Sequence, residues 1–209
     1  MKKSKYIDHT LLKPTATKAD IKKLCEEAIE HDFYSVCVNP CFVSYAAELV
    51  AGTDVQVACV VGFPLGANTT QLKKIEAFEA VENGATEIDM VINQGLVKQG
   101  EYIKVLEEIN AVCECGALVK VIVETSQLNR DELEKLCEVV NLSNATYIKT
   151  STGFVGDGAK LEDVKFMASL MNSTKKVKAS GGIRDSETFE KMIEAGAERI
   201  GTSSGTKLV

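Results

Sequence analysis

The stretch LVKVIVETSQLNRDELEKLCEVVNLSNATYIKT (118–150) places an amphipathic segment between two apolar runs. The runs 118–124 and 147–152 are almost continuously apolar, which is typical of strands in a parallel sheet that is covered on both faces. The segment 129–140 opens with Asn-Arg-Asp-Glu, a helix cap followed by an acidic first turn. The stretch therefore predicts a strand, a helix and a second strand in succession.

The same alternation extends along the whole chain. Apolar runs suited to strands occupy 6–12, 35–39, 56–62, 87–93, 118–124, 147–152, 176–181 and 199–203. Helices are predicted at 18–30, 69–83, 102–113, 129–140, 160–171 and 185–195, where Asp185 or Ser186 caps the last. Eight such strands in 209 residues favour an α/β fold, a single-domain (β/α)₈ (TIM) barrel over 1–209.

An open doubly wound sheet is the structural alternative. It would normally carry a phosphate-binding glycine loop after its first strand, and no GxGxxG motif follows Leu12 or Asn39. The last run is followed only by 204–209, which is too short for a full helix. We therefore expect a shortened C-terminal helix that leaves one side of the barrel open to a partner subunit.

The predicted helix 69–83 carries enough apolar residues to define a buried face. The pattern predicts that this face is turned inward and that Gly84 forms the C-cap. The residues expected on it are Leu72, Ile75, Phe78, Ala80 and Val81.

Composition restricts the class of function. The formal net charge of −6 argues against nucleic-acid binding, although a local pocket for one phosphate group is compatible with it. The seven cysteines include no pair of CxxC motifs, so they are expected to be reduced thiols, with Cys37 in a packing role. His9 and His31 lack a metal-ligand spacing, so no metal site is expected from them.

The chain also lacks signals for export or membrane insertion. The basic start, MKKSK, is not followed by an apolar segment, and no apolar run approaches the roughly 18 residues of a membrane span. We therefore expect a cytoplasmic protein that does not bind a membrane.

Several predicted strands contain a charged residue among apolar ones: Asp8, Asp89, Glu124, Lys149 and Lys178. Such residues are costly to bury unless they are paired. A single strand lysine could simply extend past a helix to solvent. Two lysines on consecutive strands, each close to a glycine turn, together with an inward aspartate, instead indicate an active site at the carboxyl ends of the strands.

This group suits nucleophilic chemistry at a carbonyl. A lysine attacks a carbonyl only as the neutral amine, and a second ammonium and burial both lower its pKa. Lys178 is placed to act in this way on Lys149, and Asp89 to move protons. On this argument alone either lysine could be the nucleophile.

Glycine-rich turns follow the last two predicted strands. They are SGG (180–182) and GTSSG (201–205), and loops in these positions commonly bind phosphate in barrel enzymes. The turns predict a phosphate site, to which Gly153 adds an amide. The loop GFPLG (62–66) is either a wall of the pocket or only a turn. The residues predicted to bind phosphate are Gly153, Gly181, Gly182, Ser203 and Ser204.

The sequence resembles the deoxyribose-phosphate aldolase family along nearly its whole length. The stretches that carry the resemblance are IDHTLLKP (7–14), VCVNP (36–40), VVGFPLG (60–66), EIDMVIN (87–93), VKVIVET (119–125), YIKTSTGF (147–154), VKASGGIR (177–184) and RIGTSSG (199–205). The combination is specific, whereas no single stretch is.

The resemblance implies a class I aldolase that reversibly cleaves 2-deoxy-D-ribose 5-phosphate into D-glyceraldehyde 3-phosphate and acetaldehyde, in deoxyribonucleotide catabolism and without a cofactor. It implies that Lys149 forms the Schiff base, with Lys178 and Asp89 as proton donors and acceptors. It further implies substrate contacts for Asp8, Thr10 and, in the KTSTG motif, Thr152, phosphate binding by the glycines and serines of the turns, and a homodimer or homotetramer.

Two departures from the family pattern bear on phosphate binding. Some relatives have a lysine after STG where this chain has Phe154, and many continue beyond GTSSG further than Val209. The alternatives are a phosphosugar isomerase or epimerase on the same barrel and a non-catalytic phosphosugar-binding protein. A metal-dependent aldolase is disfavoured because two histidines do not supply the usual zinc site.

Overall fold

The computed structural model describes residues 2–209 and contains a closed barrel of eight parallel strands in chain order. The strands are β1 (Ile7–Leu11), β2 (Ser35–Val38), β3 (Gln56–Val61), β4 (Glu87–Val91), β5 (Leu118–Ile122), β6 (Tyr147–Lys149), β7 (Lys176–Ser180) and β8 (Arg199–Thr202). Each strand pairs with the next, and β8 closes the barrel on β1 through the pair Ile7 and Ile200. The predicted (β/α)₈ barrel is confirmed.

Within residues 2–209, eight α-helices surround the barrel. They are α1 (Lys18–Glu30), α2 (Val43–Val50), α3 (Thr70–Glu82), α4 (Gln94–Lys98), α5 (Tyr102–Cys113), α6 (Arg130–Leu142), α7 (Leu161–Leu170) and α8 (Ser186–Glu194). Helices α1 and α5 have the predicted bounds, and the other four predicted helices differ by one or two residues at each end. Asp185 is the N-cap of α8, where its side chain accepts a hydrogen bond from the Thr188 amide.

Two helices are absent from the sequence prediction. Helix α2 is short and largely apolar, so its pattern does not separate it from a buried strand. Helix α4 has only five residues, and its N-cap is Asn93, whose side chain accepts hydrogen bonds from the amides of Gly95 and Leu96. Such a short helix depends on its cap rather than on a periodic face.

The predicted inward face of α3 is wrong for three of its five residues, whereas Ala80 is buried and Val81 packs against the core as predicted. Leu72 is 54% exposed, Ile75 52% and Phe78 37%, whereas Lys73 is fully buried. Lys73 can face the sheet because its ammonium donates to the Glu108 carboxylate at 2.7 Å and to the Val91 carbonyl at 2.8 Å. A paired ammonium on a long apolar stem is therefore accommodated in the layer between helices and sheet.

After β8 the chain forms only the 3₁₀ turn Gly205–Lys207, which agrees with the prediction of a shortened C-terminal helix. The turn packs on β1, where a Cβ at Gly205 would lie 2.9 Å from His9 Nδ1. Within residues 2–209, no helix has the length and apolar character needed to span a membrane.

The barrel interior has an apolar side and a charged side. Leu12, Cys37, Ala58 and Val60 pack together on the β1–β3 side, with Phe63 against them. Alternate residues of β4–β8 point to the same interior and include acidic and basic side chains. The ionisable groups therefore lie on the side formed by β4–β8, with Asp8 of the adjacent β1 among them, and Lys149 stands at the carboxyl end of β6.

Candidate active site

Lys149 and Lys178 meet at one oxygen of Asp89. The two lysines are register partners on β6 and β7. Lys149 Nζ lies 2.8 Å from Asp89 Oδ2, and Lys178 Nζ lies 2.7 Å from the same atom. The structure thus brings together the three residues for which the sequence predicts catalysis, with a carboxylate between the two amines.

Asp8 supports this arrangement from below. Its side chain is fully buried and accepts hydrogen bonds from Lys178, from Arg199 at 2.9 Å and from Ser35 at 2.7 Å. Asp8 does not line the cavity above the lysines. Its contacts are those of a residue that positions Lys178.

Lys120 on β5 is absent from the residues that the sequence predicts for the site. It is fully buried, and its ammonium donates to Glu87 at 2.5 Å and to Asp89 Oδ1 at 2.8 Å. Asp89 and Lys120 are register partners across β4 and β5. Strand alternation was the available signal, because Lys120 lies two residues from Ile122 and four from Glu124 and therefore shares their face.

These contacts define an interior charge cluster of four basic side chains and three carboxylates: Lys120, Lys149, Lys178 and Arg199, with Asp8, Glu87 and Asp89. Burial raises the pKa of Asp89, but the three surrounding ammonium groups outweigh it and hold the pKa well below the usual range. Burial lowers the pKa of Lys178, but Asp8 and Asp89 outweigh it and raise that pKa. Both groups therefore stay ionised.

Lys149 differs from the other basic members of the cluster. Burial lowers its pKa, the Lys178 ammonium lowers it further, and the attraction of Asp89 does not compensate. With Lys149 neutral, three positive charges in the cluster face three carboxylates. The cluster is electrically balanced in the state in which Lys149 is a free amine.

A cavity of about 210 Å³ opens above Lys149 at the carboxyl ends of β1 and β6–β8. Seven of the predicted site residues line it: Thr10, Lys149, Thr152, Gly153, Gly181, Gly182 and Ser203. Asp89 and Lys178 lie beneath it, and Ser204 lies outside its lining. Lys13 and Arg184 also line the cavity and bring positive charge that the predicted site residues do not include.

The glycine turns of the cavity approach each other closely. Gly181 has φ +90°, and a Cβ there would lie 2.8 Å from the Gly158 Cα and 3.4 Å from the Gly153 Cα. Only glycine fits this backbone without strain. The close approach brings the turns after β6 and β7 side by side, as a shared anion site requires.

The loop GFPLG (62–66) contacts the cavity wall. The Phe63 ring lies edge-on to the Phe154 ring at 5.1 Å between centroids, and Phe154 lines the cavity. The structure thus gives this loop the wall contact that was one of its two interpretations. Cys37 lies inside the barrel, where burial raises the pKa of its thiol to about 11, so that the thiol stays protonated at neutral pH.

A buried lysine with a lowered pKa lies beneath the cavity and contacts a carboxylate that a second ammonium shares, and this arrangement defines a class of protein. It is a barrel enzyme that forms a Schiff base with a carbonyl substrate. Within residues 2–209, no three or more histidine, cysteine, aspartate or glutamate side chains are grouped as metal ligands.

Comparison with known proteins specifies the class. Residues 4–207 match the family model described as DeoC/LacD family aldolase. A deoxyribose-phosphate aldolase of Caldanaerobacter subterraneus subsp. tengcongensis is 54% identical over 99% of this chain and 91% of its own. The chain belongs to the DeoC/LacD family of aldolases and is a class I aldolase.

Solved structures agree with this assignment. A putative deoxyribose-phosphate aldolase from Coccidioides immitis superposes with a TM-score of 0.96 at 46% identity, covering 98% of this chain and 83% of that chain. The deoxyribose phosphate aldolase from Aeropyrum pernix superposes with a TM-score of 0.90 at 35% identity, covering 99% and 88%. Its structure is described as a unique tetramer.

Proposed function

We propose that this protein is a deoxyribose-phosphate aldolase, which reversibly cleaves 2-deoxy-D-ribose 5-phosphate into acetaldehyde and D-glyceraldehyde 3-phosphate. The observation that carries the proposal is the contact of Lys149 and Lys178 with one oxygen of Asp89 beneath the cavity. The family assignment and the names of the relatives support the substrate.

The first step is addition of the Lys149 amine to the C1 aldehyde of the open-chain sugar. The carbinolamine then loses water and becomes an imine. The lowered pKa of Lys149 favours this step, because burial and the neighbouring Lys178 ammonium increase the fraction of free amine. Asp89 Oδ2 contacts both amines and so offers a route for protons between Lys178 and the nitrogen of Lys149.

The second step breaks the bond between C2 and C3. The C3 hydroxyl loses its proton, its oxygen becomes the aldehyde of glyceraldehyde 3-phosphate, and the electrons of the C2–C3 bond pass to the iminium to form an enamine. Protonation of the enamine at C2 and hydrolysis of the imine release acetaldehyde and restore Lys149. In this scheme Lys178 and Asp89 carry the protons, and Thr10 and Thr152 contact the sugar hydroxyls from the cavity wall.

The phosphate group of the substrate is expected to bind at the glycine turns. Gly153, Gly181, Gly182 and Ser203 all line the cavity, and backbone amides in such turns bind anions. Arg184, also in the lining, adds a guanidinium suited to phosphate. Ser204 stays a predicted ligand, to be reached through its backbone or a rotation of its side chain.

Reduction with borohydride in the presence of acetaldehyde tests the proposal. We expect a covalent ethyl adduct on Lys149, found by peptide mass mapping, because borohydride reduces the imine to a stable secondary amine. Lys149→Met is expected to abolish both the adduct and aldol cleavage. Cleavage by the intact enzyme is expected to persist in EDTA.

The outcomes separate the competing functions. Full activity with Lys149 unmodified would overturn the Schiff-base mechanism. Sugar-phosphate isomerisation by an active Lys149→Met variant would support an isomerase or epimerase. Calorimetric binding of the sugar phosphate without product would support a binding protein.

We further propose that the exposed apolar face of α3 joins two copies of this chain in a homodimer or homotetramer. Leu72, Ile75 and Phe78 form a stripe at intervals of three residues, and Ile103 on the adjacent α5 is 74% exposed. Contiguous apolar surface of this kind is unusual on a monomer. A second copy is the occupant that agrees with the tetramer described for the Aeropyrum pernix relative.

Substitution of Phe78 by arginine tests this interface. We expect Phe78→Arg to shift the protein to a monomer of 22.6 kDa in light scattering, because a charge would be buried without a partner. Leu142→Arg is the matched control, since Leu142 is 75% exposed and lies on α6, away from the stripe. An unchanged oligomer in Phe78→Arg would reject this face as the interface.

Finally, we propose that the protein works in the cytoplasm. All seven cysteines are free thiols, four of them buried, as expected in a reducing compartment.

A further inference from the structure

The residue after β5 has an unusual backbone conformation. Glu124 has φ 54° and ψ 69°, in the left-handed region, and it is only 3% exposed to solvent. Residues with a Cβ disfavour this region and keep it where surrounding contacts hold them there. The contacts of Glu124 therefore indicate what the conformation serves.

One oxygen of the Glu124 carboxylate accepts two hydrogen bonds from Thr152, which follows the adjacent strand β6. Oε2 accepts hydrogen bonds from the Thr152 amide at 3.2 Å and from the Thr152 hydroxyl at 2.5 Å. The Thr152 hydroxyl in turn accepts a hydrogen bond from the Phe154 amide at 3.0 Å. Because the single hydroxyl hydrogen is donated to Glu124, these bonds fix the segment 152–154 in one orientation.

This segment forms part of the cavity. Thr152, Gly153 and Phe154 all line it, and Gly153 lies against the turn after β7, where a Cβ on Gly153 would be 3.7 Å from the Gly181 Cα. A shift of the segment would therefore move the Gly153 amide relative to the second glycine turn.

Core packing does not account for the Glu124 carboxyl. Its Oε1 is buried and has no hydrogen-bond partner among residues 2–209, which is a costly arrangement for a carboxylate. Burial also raises the pKa of Glu124, against the lowering effects of Thr152 and Lys149. Groups retained at such a cost concentrate at functional sites.

We infer that Glu124 is a positioning residue for the phosphate end of the substrate, holding Thr152 so that the Gly153 amide faces the phosphate. This inference rests on the phosphate site proposed above. It also restricts Thr152, which contacts a sugar hydroxyl only as an acceptor while its hydrogen is donated to Glu124.

Steady-state kinetics of Glu124 variants with two substrates test the inference. In Glu124→Ala the KM for 2-deoxyribose 5-phosphate is expected to rise by about tenfold or more, because two hydrogen bonds to a charged acceptor are lost. The kcat/KM for unphosphorylated 2-deoxyribose is expected to fall by a clearly smaller factor, because that sugar shares the Thr152 contact but has no phosphate. The borohydride adduct at Lys149 is expected to form as in the wild type. Glu124→Gln, whose amide oxygen accepts the same two bonds, is expected to restore the KM.

Glu76→Ala is the matched control. Glu76 is a partly buried carboxyl on α3 that accepts one backbone hydrogen bond, from the Gly62 amide at 2.7 Å. It is expected to leave the KM ratio of the two sugars unchanged. If Glu124→Ala does not fold, Glu124→Asp is used, since its shorter side chain withdraws the carboxylate from Thr152 and is also expected to raise that ratio.

The possible results distinguish a failure of the role of Glu124 from a failure of the phosphate site or of the Schiff-base function. Equal losses with both sugars, or a wild-type KM ratio in both the alanine and aspartate variants, would overturn the role of Glu124. Wild-type enzyme that does not discriminate between the two sugars would instead overturn the phosphate site on which the inference rests. Failure of the wild-type enzyme to form the Lys149 adduct would overturn the Schiff-base function itself.

Discussion

Replacing Lys178 with methionine is expected to lower kcat/KM at pH 7 by at least about a hundredfold, the range of a lost proton-transfer group. Lys178 shares Asp89 Oδ2 with Lys149, and its ammonium is one cause of the lowered pKa of Lys149. Without that charge Lys149 becomes the only amine at Oδ2, so its protonated form is favoured. The variant loses both a proton carrier and part of its free amine.

The pH dependence of borohydride trapping with acetaldehyde separates these two losses. Imine formation needs the neutral amine, so the trapping rate rises with pH through the pKa of Lys149. In the wild type the midpoint lies below the ordinary lysine value of 10.5, because burial and Lys178 lower that pKa. In Lys178→Met the midpoint is expected to move to higher pH.

Lys73→Met provides the matched control for Lys178→Met. Lys73 is also fully buried and paired, but with Glu108 in the layer between helices and sheet. The control is expected to lose stability while its trapping midpoint stays that of the wild type. The proposed influence of Lys178 on Lys149 is rejected if Lys178→Met has the wild-type midpoint.

The barrel could be predicted from the sequence because strand and helix alternation is a local pattern. The orientation of α3 could not be predicted from such a local pattern. Its sequence carries one apolar stripe through Leu72, Ile75 and Phe78 and another through Ala77 and Ala80, and periodicity alone does not tell which stripe faces the sheet. Which stripe faces the sheet depends on Glu108, 35 residues from Lys73, because its carboxylate pairs with the Lys73 ammonium in the buried layer.

The candidate site shows the same division. Strand alternation suffices to predict that Asp89, Lys149 and Lys178 point into one barrel, and the structure brings them together. The roles of Lys120 and Arg199 depend on which carboxylates lie opposite them, which is set by the register around the closed barrel. A lone lysine in a run such as VKVIV is compatible with an outward side chain until that register is known.

The interior charge cluster makes stability and catalysis depend on the same groups. Asp8 and Asp89 have pKa values held below the usual aspartate range. A carboxyl whose pKa is lower in the folded state stabilises the fold above its unfolded pKa of about 3.9, and this contribution is lost as pH falls through the folded value. Removing the charge of Asp89 by mutation imposes a comparable loss at neutral pH.

Asp89→Asn is expected to lower the free energy of unfolding at pH 7 by about 3–5 kcal/mol, the usual cost of removing one partner of a buried ion pair. The amide keeps the shape of the side chain but removes the one carboxylate to which both the Lys120 and the Lys178 ammonium groups donate hydrogen bonds. Urea denaturation followed by circular dichroism measures the loss. Aldol cleavage is expected to fall with it, since the bridge between the two lysines is gone.

A second substitution distinguishes charge imbalance from a general disturbance of the core. In Asp89→Asn three positive charges face two carboxylates if Lys149 is neutral, and adding Lys120→Met restores equality. The double variant is therefore expected to recover about 1–2 kcal/mol relative to Asp89→Asn, within the usual range of coupling between contacting residues. Lys73→Met combined with Asp89→Asn, the control pair, is expected to be additive.

Additive losses for Asp89→Asn and Lys120→Met would contradict the charge balance. Adding Lys149→Met to Asp89→Asn discriminates further: removing a lysine that is already neutral relieves no excess charge, so little recovery is expected. Recovery as large as that from Lys120→Met would mean that Lys149 is charged in the folded protein. A small recovery would link stability to catalysis, because the cluster is neutral only when Lys149 is the free amine that attacks the substrate.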